Sequence, residues 1–300
     1  MDWLLPKKIM PREFNYSIYG SRRVGASSCR SWLTEHYGEV QRFLDEVYKE
    51  DDHDQVLSWF FDNPKMAKSW VSDFFMMDKE KLSYILKQFT RKGEKSKIMF
   101  IIGARGSGKT ATAFWLAENL KNDVNVYYVG APEDMVLPEW IKTARTVEDV
   151  PNNTLVIIDE SGLQFNAREF WKEGAKVLTK QMATARHKKK SLIFITQHQK
   201  LSDINISRLA DIVTLKSGAV WMDLDKKRTF VSDLINNMRP RNKKQTLFYY
   251  PENNKISLVE RQPLPKCWTK EISKGWKDTK FKEKEVQKQT KTYEEEDTLP

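Results

Sequence analysis

The chain has 300 residues, of which 40% are hydrophobic and 31% charged, and its formal net charge is +10 at pH 7. This apolar content is enough for a substantial core, which excludes a disordered chain, and the positive charge fits nucleic acid better than an acidic protein. No apolar run approaches the roughly 18 residues of a membrane-spanning helix, and the first residues lack the apolar block of a secretory signal. We therefore expect no membrane insertion and a cytoplasmic location (the host cytoplasm for a viral protein), with virion association left open. The two cysteines, Cys29 and Cys267, form no C-x-x-C pattern and are interpreted as ordinary thiols.

Residues 1–92 are predicted to form a basic arm followed by a helical domain. The arm, up to about residue 28, carries lysines and arginines with little periodicity. Apolar and aromatic residues then recur at three- and four-residue spacings over 31–49 and 54–75, and 79–91 is typical of one more helix. The aromatic face fits either core packing or a contact with another subunit or a capsid. Core packing is favoured because exposed aromatic patches are uncommon on monomers.

Residues 103–110, GARGSGKT, match the phosphate-binding pattern G-x-x-x-x-G-K-[ST] at every fixed position. A strand-like run at 97–102 precedes them and a helix-like segment at 111–120 follows, which is the context that this motif requires. The glycines let the backbone N–H groups and the helix N-terminus face a phosphate. The predicted nucleotide-binding residues of this loop are Gly103, Gly106, Ser107, Gly108, Lys109 and Thr110. Lys109 is expected to reach the β and γ phosphates of ATP, and Thr110 to offer its hydroxyl to Mg²⁺.

The segment 93–220 is predicted to be an α/β core with a mainly parallel sheet between helices. Strand-like runs occur at 97–102, 125–129, 154–158, 191–196 and 212–215, and a long helix is expected at 167–187. Open parallel sheets bind ligands at the carboxyl ends of their strands. Each strand's carboxyl end should therefore open toward the phosphate-binding loop.

Two of these strands end in side chains suited to phosphate chemistry. The run 155–160, LVIIDE, places Asp159 where it can support Mg²⁺ through its water shell and Glu160 where it can orient or deprotonate the attacking water. Gln197 follows the strand at 191–196, and its amide can bond both the γ phosphate and that water. The alternative for Gln197 is simple polarity at a strand end.

The C-terminal part is predicted to be a small appendage of the core at 221–279 and a disordered charged tail at 280–300. The appendage consists of a helix near 231–237, a hairpin of 246–250 with 255–259, and a tryptophan-containing helix at 268–276. The tail alternates Lys with Glu and has almost no apolar content. Basic clusters at 186–190, 226–228 and 239–244 fit either DNA phosphate contacts or solvated turns.

The motifs of residues 97–216 together resemble the HerA/FtsK superfamily of DNA-pumping ATPases. The resemblance rests on the phosphate-binding loop, the strand ending at Asp159 and Glu160, the helix bearing Arg186, and the strand ending at Gln197. Within the superfamily, the short chain, the helical front end and the run DESG at 159–162 are most similar to viral genome-packaging ATPases and zonula-occludens-toxin-like phage ATPases. Toxin-like members commonly carry a membrane segment, which favours the packaging type here.

The resemblance implies a homo-oligomeric ring, a pentamer or a hexamer, that hydrolyses ATP and moves double-stranded DNA into a capsid, docking on a capsid or vertex protein. It also implies an arginine finger from the neighbouring subunit; Arg208 and Arg186 are the candidates, with Arg168 as a weaker third. Three alternatives stay open from the residues: a phage assembly or export ATPase, an AAA+ type protein remodeller, and a nucleotide-switched binding protein. Glu160 disfavours the last, since a switch needs little turnover.

Overall fold

The computed structural model describes residues 24–90, 96–129, 131, 136–159, 185–197, 210–219, 229–269 and 272. Apolar side chains at three- and four-residue spacings form the first helices, whose buried faces include Phe43, Phe60 and Trp70. These helices are α1 (Val24–Glu35), α2 (Tyr37–Val47), α3 (His53–Asp62), α4 (Pro64–Phe75) and α5 (Asp78–Thr90), with a 3₁₀ turn at Glu50–Asp52 between α2 and α3. The aromatic residues of this region are thus largely core residues, as favoured from the sequence.

In the described part of the chain, eight strands form one mixed sheet. They are β1 (Ile98–Ile102), β2 (Asn125–Val129), β3 (Ile141–Ala144), β4 (Thr154–Asp159), β5 (Ser191–Thr196), β6 (Ile212–Leu215), β7 (Thr246–Tyr250) and β8 (Lys255–Val259), and the described helices of this part are α6 (Lys109–Leu120) and α7 (Thr229–Asn237). The strand order is β3-β2-β4-β5-β1-β6-β7-β8. The first six strands pair in parallel, and the hairpin of β7 and β8 adds antiparallel strands at one edge.

Helices cover both faces of this sheet, as the burial of β1 shows. All five of its side chains are buried, as in strands that have a helix layer on each side. Ile98 and Phe100 belong to the core cluster that contains residues of α2, α3, α4 and α7. Met99 and Ile101 belong to a second cluster with residues of α5 and α6. The fold is therefore an α/β sandwich of three layers.

The N-terminal helices are attached to the sheet through the β7–β8 hairpin. Trp70 Nε1 donates to the Asn254 carbonyl at 2.8 Å, and Lys81 Nζ donates to the Leu258 carbonyl at 2.9 Å. Asp73, buried on α4, lies 2.8 Å from Lys255 Nζ and accepts a hydrogen bond from the hydroxyl of Ser257. These contacts join α4 and α5 to β8, so the helices and the sheet share a core.

The predicted α/β class with a mainly parallel sheet and N-terminal helices is confirmed. The predicted hairpin has the predicted strands, and it extends the central sheet instead of packing on it as a separate layer. One strand was missed: β3 lies at the sheet edge with only Ile141 buried, so it carries no apolar alternation. Within the described ranges, no helix is both long and apolar enough to cross a membrane.

Several predictions fall outside the described residues. They are most of the arm predicted at 1–28, most of the helix predicted at 167–187, the basic cluster at 226–228, most of the tryptophan-containing helix, and the tail at 280–300. Residues 24–28, assigned to the arm, are instead the first residues of α1. Residues 185–187, at the end of the long helix, are helical as expected. The domain boundaries at 92, 220 and 279 stay predictions.

Candidate nucleotide-binding site

The phosphate-binding loop lies at the carboxyl end of β1 and leads directly into α6. Gly106 and Gly108 have φ angles of +74° and +92°, which residues with a side chain adopt only at a cost. Gly108 is the N-cap of α6, so the loop leads directly to the N-terminus of that helix. The N–H groups of a helix N-terminus point out of the helix and are suited to a phosphate.

The phosphate-binding loop is also tightly packed against Lys216, the residue that follows β6. A methyl group on Gly103 would come within 2.7 Å of both Lys216 Cβ and Ser107 Oγ, so only glycine fits there. Ser107 is buried, and its hydroxyl has no hydrogen-bond partner among the described residues. The Ala104 N–H donates to the Ser217 carbonyl at 3.1 Å. The cradle and the buried hydroxyl fit a phosphate group.

Lys109 is nearly buried and its ammonium group folds over the loop. Its Nζ donates to the carbonyls of Gly103 and Ala104, at 2.9 Å each. These are neutral acceptors, and charged phosphate oxygens are stronger ones. Lys109 is therefore held at the loop in a position from which it can turn to a bound triphosphate.

The strand register brings Asp159 and Gln197 to the same edge of the sheet as the loop. Asp159, the last residue of β4, pairs with Ile195 of β5, and Thr196 pairs with Ile102 of β1. Two strand spacings put the Asp159 backbone about 10 Å from β1. Gln197 follows Thr196 at the end of β5, the strand between β4 and β1, and its side chain is exposed. Thr110, in the first turn of α6, and Asp159 supply the oxygen donors that Mg²⁺ prefers.

Sequence reasoning missed Tyr128, which supports Asp159 from the neighbouring strand β2. Its ring is fully buried, and burial is the main reason that the pKa of its phenol is raised well above the ordinary value. The negative charge of Asp159 raises the pKa further. The phenol therefore stays protonated and lies close enough to Asp159 to interact with its charge. The strand sequence NVYYV contains no signal for this contact, since it depends on the β2–β4 pairing.

Lys216 was also missed, although it directly follows a buried strand at the carboxyl edge. It is 1% exposed, and its Nζ donates to the Lys243 and Gln245 carbonyls at 2.9 Å each and to Thr246 Oγ1 at 2.8 Å. Burial lowers the pKa of Lys216 from 10.5 to about 8. Only the strand order, which places β6 beside β1, shows that this lysine lies under the phosphate-binding loop.

The arginine candidates and the first basic cluster are only partly described. Glu160, Arg208 and Arg168 lie outside the described residues. Arg186 lies at the amino edge of the sheet, where its Nη2 is 3.5 Å from Asp211 Oδ2. The length of β1, about 16 Å, separates that edge from the loop of the same chain. Arg186 could act as a finger only on a neighbouring subunit.

One member of the basic cluster at 186–190 has a structural role. Lys190 is 2% exposed, and its Nζ donates to the Val147 carbonyl at 2.7 Å. A buried ammonium cannot also bind a DNA phosphate, so the part of the DNA-contact interpretation that rested on Lys190 is wrong. Lys188 and Lys189 are exposed.

The phosphate-binding loop joins β1 to α6 at the carboxyl edge of a mainly parallel sheet, and Asp159 lies at the same edge two strands away. This arrangement is that of the P-loop NTPase fold. The sequence matches no family model and no curated protein.

Solved structures similar to the chain include proteins of both kinds that the sequence resembles. The genome packaging NTPase of Sulfolobus turreted icosahedral virus 2, in complex with AMPPCP, is 13% identical with a TM-score of 0.38 over 56% of this chain and 98% of that one. The N-terminal domain of zonular occludens toxin from Neisseria meningitidis is 15% identical with a TM-score of 0.32 over 58% and 96%. The pCW3 conjugation coupling protein TcpA, a monomer with ATPgS, is 14% identical with a TM-score of 0.38 over 56% and 60%. Since these likenesses are distant, the function proposed below does not rest on them.

Proposed function

We propose that the protein is an ATPase that works as a homo-oligomeric ring and moves double-stranded DNA, packaging a viral genome into a capsid. The observation that carries the ATPase part is the phosphate-binding loop, with Lys109 folded over it and with Asp159 and Gln197 at the same edge of the sheet. These groups supply what phosphoryl transfer needs, which is positioning and the neutralisation of charge.

Each residue of the site has a role in this proposal. Lys109 binds the β and γ phosphates, and Thr110 and Asp159 hold Mg²⁺, which neutralises charge on the phosphate oxygens. Tyr128 lies beside the Asp159 carboxylate and stays protonated, because burial and the charge of Asp159 raise the pKa of its phenol. Glu160, the next residue of the chain, accepts a proton from the attacking water. Gln197 orients that water and contacts the γ phosphate.

The DNA part of the proposal rests on charge and on the resemblance of residues 97–216 to DNA-pumping ATPases. The chain carries a net charge of +10, and Arg239, Arg241, Lys243 and Lys244 are exposed. The Lys243 carbonyl of this cluster is 3.8 Å from the point where Gly108 of the phosphate-binding loop would carry a methyl group. Lysines and arginines that contact only phosphates hold DNA without reading its sequence. A ring would also allow an arginine of one subunit to reach the phosphates bound by its neighbour.

The ATPase part is tested by Lys109→Ala, which should abolish Mg²⁺-dependent ATP hydrolysis because alanine cannot reach the β and γ phosphates. Lys121→Ala, an exposed lysine just beyond the other end of α6, is the matched control and should retain activity. Glu160→Gln should still bind ATP but turn over far more slowly. Wild-type activity that does not exceed the Lys109→Ala background would refute the proposal.

Ring assembly is tested by mixing two inactive variants, Arg208→Ala and Lys109→Ala. One interface of a mixed ring then combines an intact phosphate-binding loop with an intact arginine, so part of the activity should return. The measurement is the ATPase rate of assemblies shown to contain both subunits. If activity does not return, Arg208 is not the finger, and the same experiment is repeated with Arg186→Ala.

A further inference from the structure

Lys216 is an ammonium group buried beneath the nucleotide site and held by three acceptors. They are the Lys243 and Gln245 carbonyls and the Thr246 hydroxyl, all within 2.9 Å of its Nζ. An ammonium has three N–H donors, and each is used here. Because the side chain is 1% exposed, water cannot replace a missing partner without opening the structure.

The same side chain runs along the underside of the phosphate-binding loop. Lys216 Cβ is 2.7 Å from the point where Gly103 would carry a methyl group, and Lys216 Cε is 3.6 Å from the equivalent point on Gly108. The Lys216 N–H donates to the Ile102 carbonyl at 2.8 Å, which fixes its backbone to the end of β1. Lys216 therefore packs against the start and the end of this loop.

The acceptors of Lys216 lie in or directly after residues 241–245, which we call the basic loop. Arg241, Lys243 and Lys244 are exposed there. Hydrogen bonds to its own side chains shape the loop: Asn242 Oδ1 accepts from the Lys244 N–H at 2.9 Å, and Gln245 Oε1 accepts from the Arg241 N–H at 2.7 Å. A structured loop with three outward cations is suited to the phosphates of a nucleic-acid backbone.

We infer that Lys216 is a positioning residue that couples the phosphate-binding loop to the basic loop, so that nucleic-acid phosphates bound at Arg241, Lys243 and Lys244 alter the turnover of nucleotide. The nucleic-acid half of this inference rests on the proposed function. The coupling of the two loops does not.

The coupling follows from the cost of moving either loop alone. A shift of the phosphate-binding loop moves Lys216 through its packing at Gly103, where there is no spare space. Pulling a buried donor from its acceptor leaves both groups without a partner and without water, and the cost is larger when the donor is charged. The basic loop therefore follows the phosphate-binding loop, and the reverse holds because coupling between two sites is reciprocal.

Hydrogen exchange measures this coupling without DNA. The probes are the amides of Arg241, Lys244 and Gln245, which are hydrogen-bonded to side chains of the basic loop. ATPγS with Mg²⁺ should change their exchange rates in the wild type by about fivefold or more, the lower end of typical coupling between sites. In Lys216→Met the change should disappear.

The matched control is Lys190→Met, which also removes a buried lysine that donates to a backbone carbonyl, but at the amino edge of the sheet. It should respond to ATPγS as the wild type does. Thr246→Val is the second variant if Lys216→Met fails to fold; it keeps the lysine and removes one acceptor, so it should give a reduced response. An unchanged response in Lys216→Met or in Thr246→Val, or no response in the wild type, overturns the inference.

Duplex DNA of arbitrary sequence tests the nucleic-acid half. Lys216→Met should bind the duplex with wild-type affinity, yet the ratio of its ATPase rates with and without duplex should fall to about one, which a merely structural role would not produce. The triple variant Arg241→Ala/Lys243→Ala/Lys244→Ala should lower the slope of log affinity against log salt by about 0.9 for each phosphate that the variant no longer neutralises. Stimulation retained in Lys216→Met, or an unchanged salt slope in the triple variant, overturns this half. A wild type that shows the exchange response but no stimulation by duplex would instead refute the proposed DNA function.

Discussion

Replacing Lys216 with Met should remove a part of the protein's stability that rises with pH. In the folded protein burial lowers the pKa of Lys216 from 10.5 to about 8. Below pH 8 the lysine is protonated in both the folded and the unfolded chain, so it adds no pH dependence. Between pH 8 and 10.5 the unfolded chain binds more protons than the folded one, and the free energy of unfolding therefore increases with pH. The contribution is fully present above the unfolded pKa and is lost as the pH falls through the folded pKa.

The two pKa values give the size of the effect. Each pKa unit corresponds to about 1.4 kcal/mol, so the stabilisation from Lys216 should grow by about 2 kcal/mol between about pH 7 and pH 9.5. The range ends below the titration of tyrosines, because the raised pKa values of Tyr128 and Tyr250 have the opposite effect on stability. The difference between wild type and variant cancels these and other shared groups.

Urea unfolding of the wild type and Lys216→Met, followed by tryptophan fluorescence across this pH range, measures the difference directly. The variant also leaves three acceptors without a donor, which shifts its stability by an amount that does not depend on pH. Only the slope against pH is therefore predicted. Parallel profiles for the two proteins would refute the reasoning, because they would mean that the ammonium is not desolvated.

Two further predictions concern Tyr128, beside Asp159 at the nucleotide site, and Asp73, buried on α4. Tyr128→Phe should raise the Mg²⁺ concentration needed for ATP hydrolysis and lower turnover, because it removes a buried phenol that interacts with the charge of Asp159. Tyr127→Phe on the other face of β2 is the control, and equal Mg²⁺ titrations for both would contradict the role given to Tyr128. Asp73→Asn should lower the free energy of unfolding by about 3 kcal/mol, because it leaves Lys255 without its buried counter-charge. Urea unfolding measures this effect against exposed Asp62→Asn, and an equal effect of the two substitutions would exclude a role for the buried pair.

The strands that the sequence predicted have local signals, whereas the strand that it missed has none. The strands β1, β2, β4, β5 and β6 were predicted from short runs of apolar and aromatic residues, and the hairpin from its two runs around a Pro-Glu-Asn-Asn turn. In each case the signal lies within a few neighbouring residues. The edge strand β3 was missed because only Ile141 is buried, so its pairing with β2 is decided by a neighbour more than ten residues away.

The basic clusters also separate what the sequence shows from what the fold decides. From the sequence, Lys190 and Lys243 look alike, since each lies in a run of lysines and arginines. The fold buries Lys190 against the Val147 carbonyl at one edge of the sheet and exposes Lys243 at the other. Charge is a property of the sequence, but whether a charge meets solvent depends on the path of the whole chain.

The sequence by itself determined the phosphate-binding loop, its lysine and threonine, and the aspartate at the end of β4. A phosphate cradle is built from consecutive residues, so a short motif specifies it almost completely. Only the tertiary structure decided that Tyr128 lies close to Asp159 and that Lys216 lies beneath the loop, because both contacts join strands that are far apart in the chain and adjacent in the sheet. The phosphate-binding motif is local in sequence, whereas the residues that pack around it are brought there by the order of the strands.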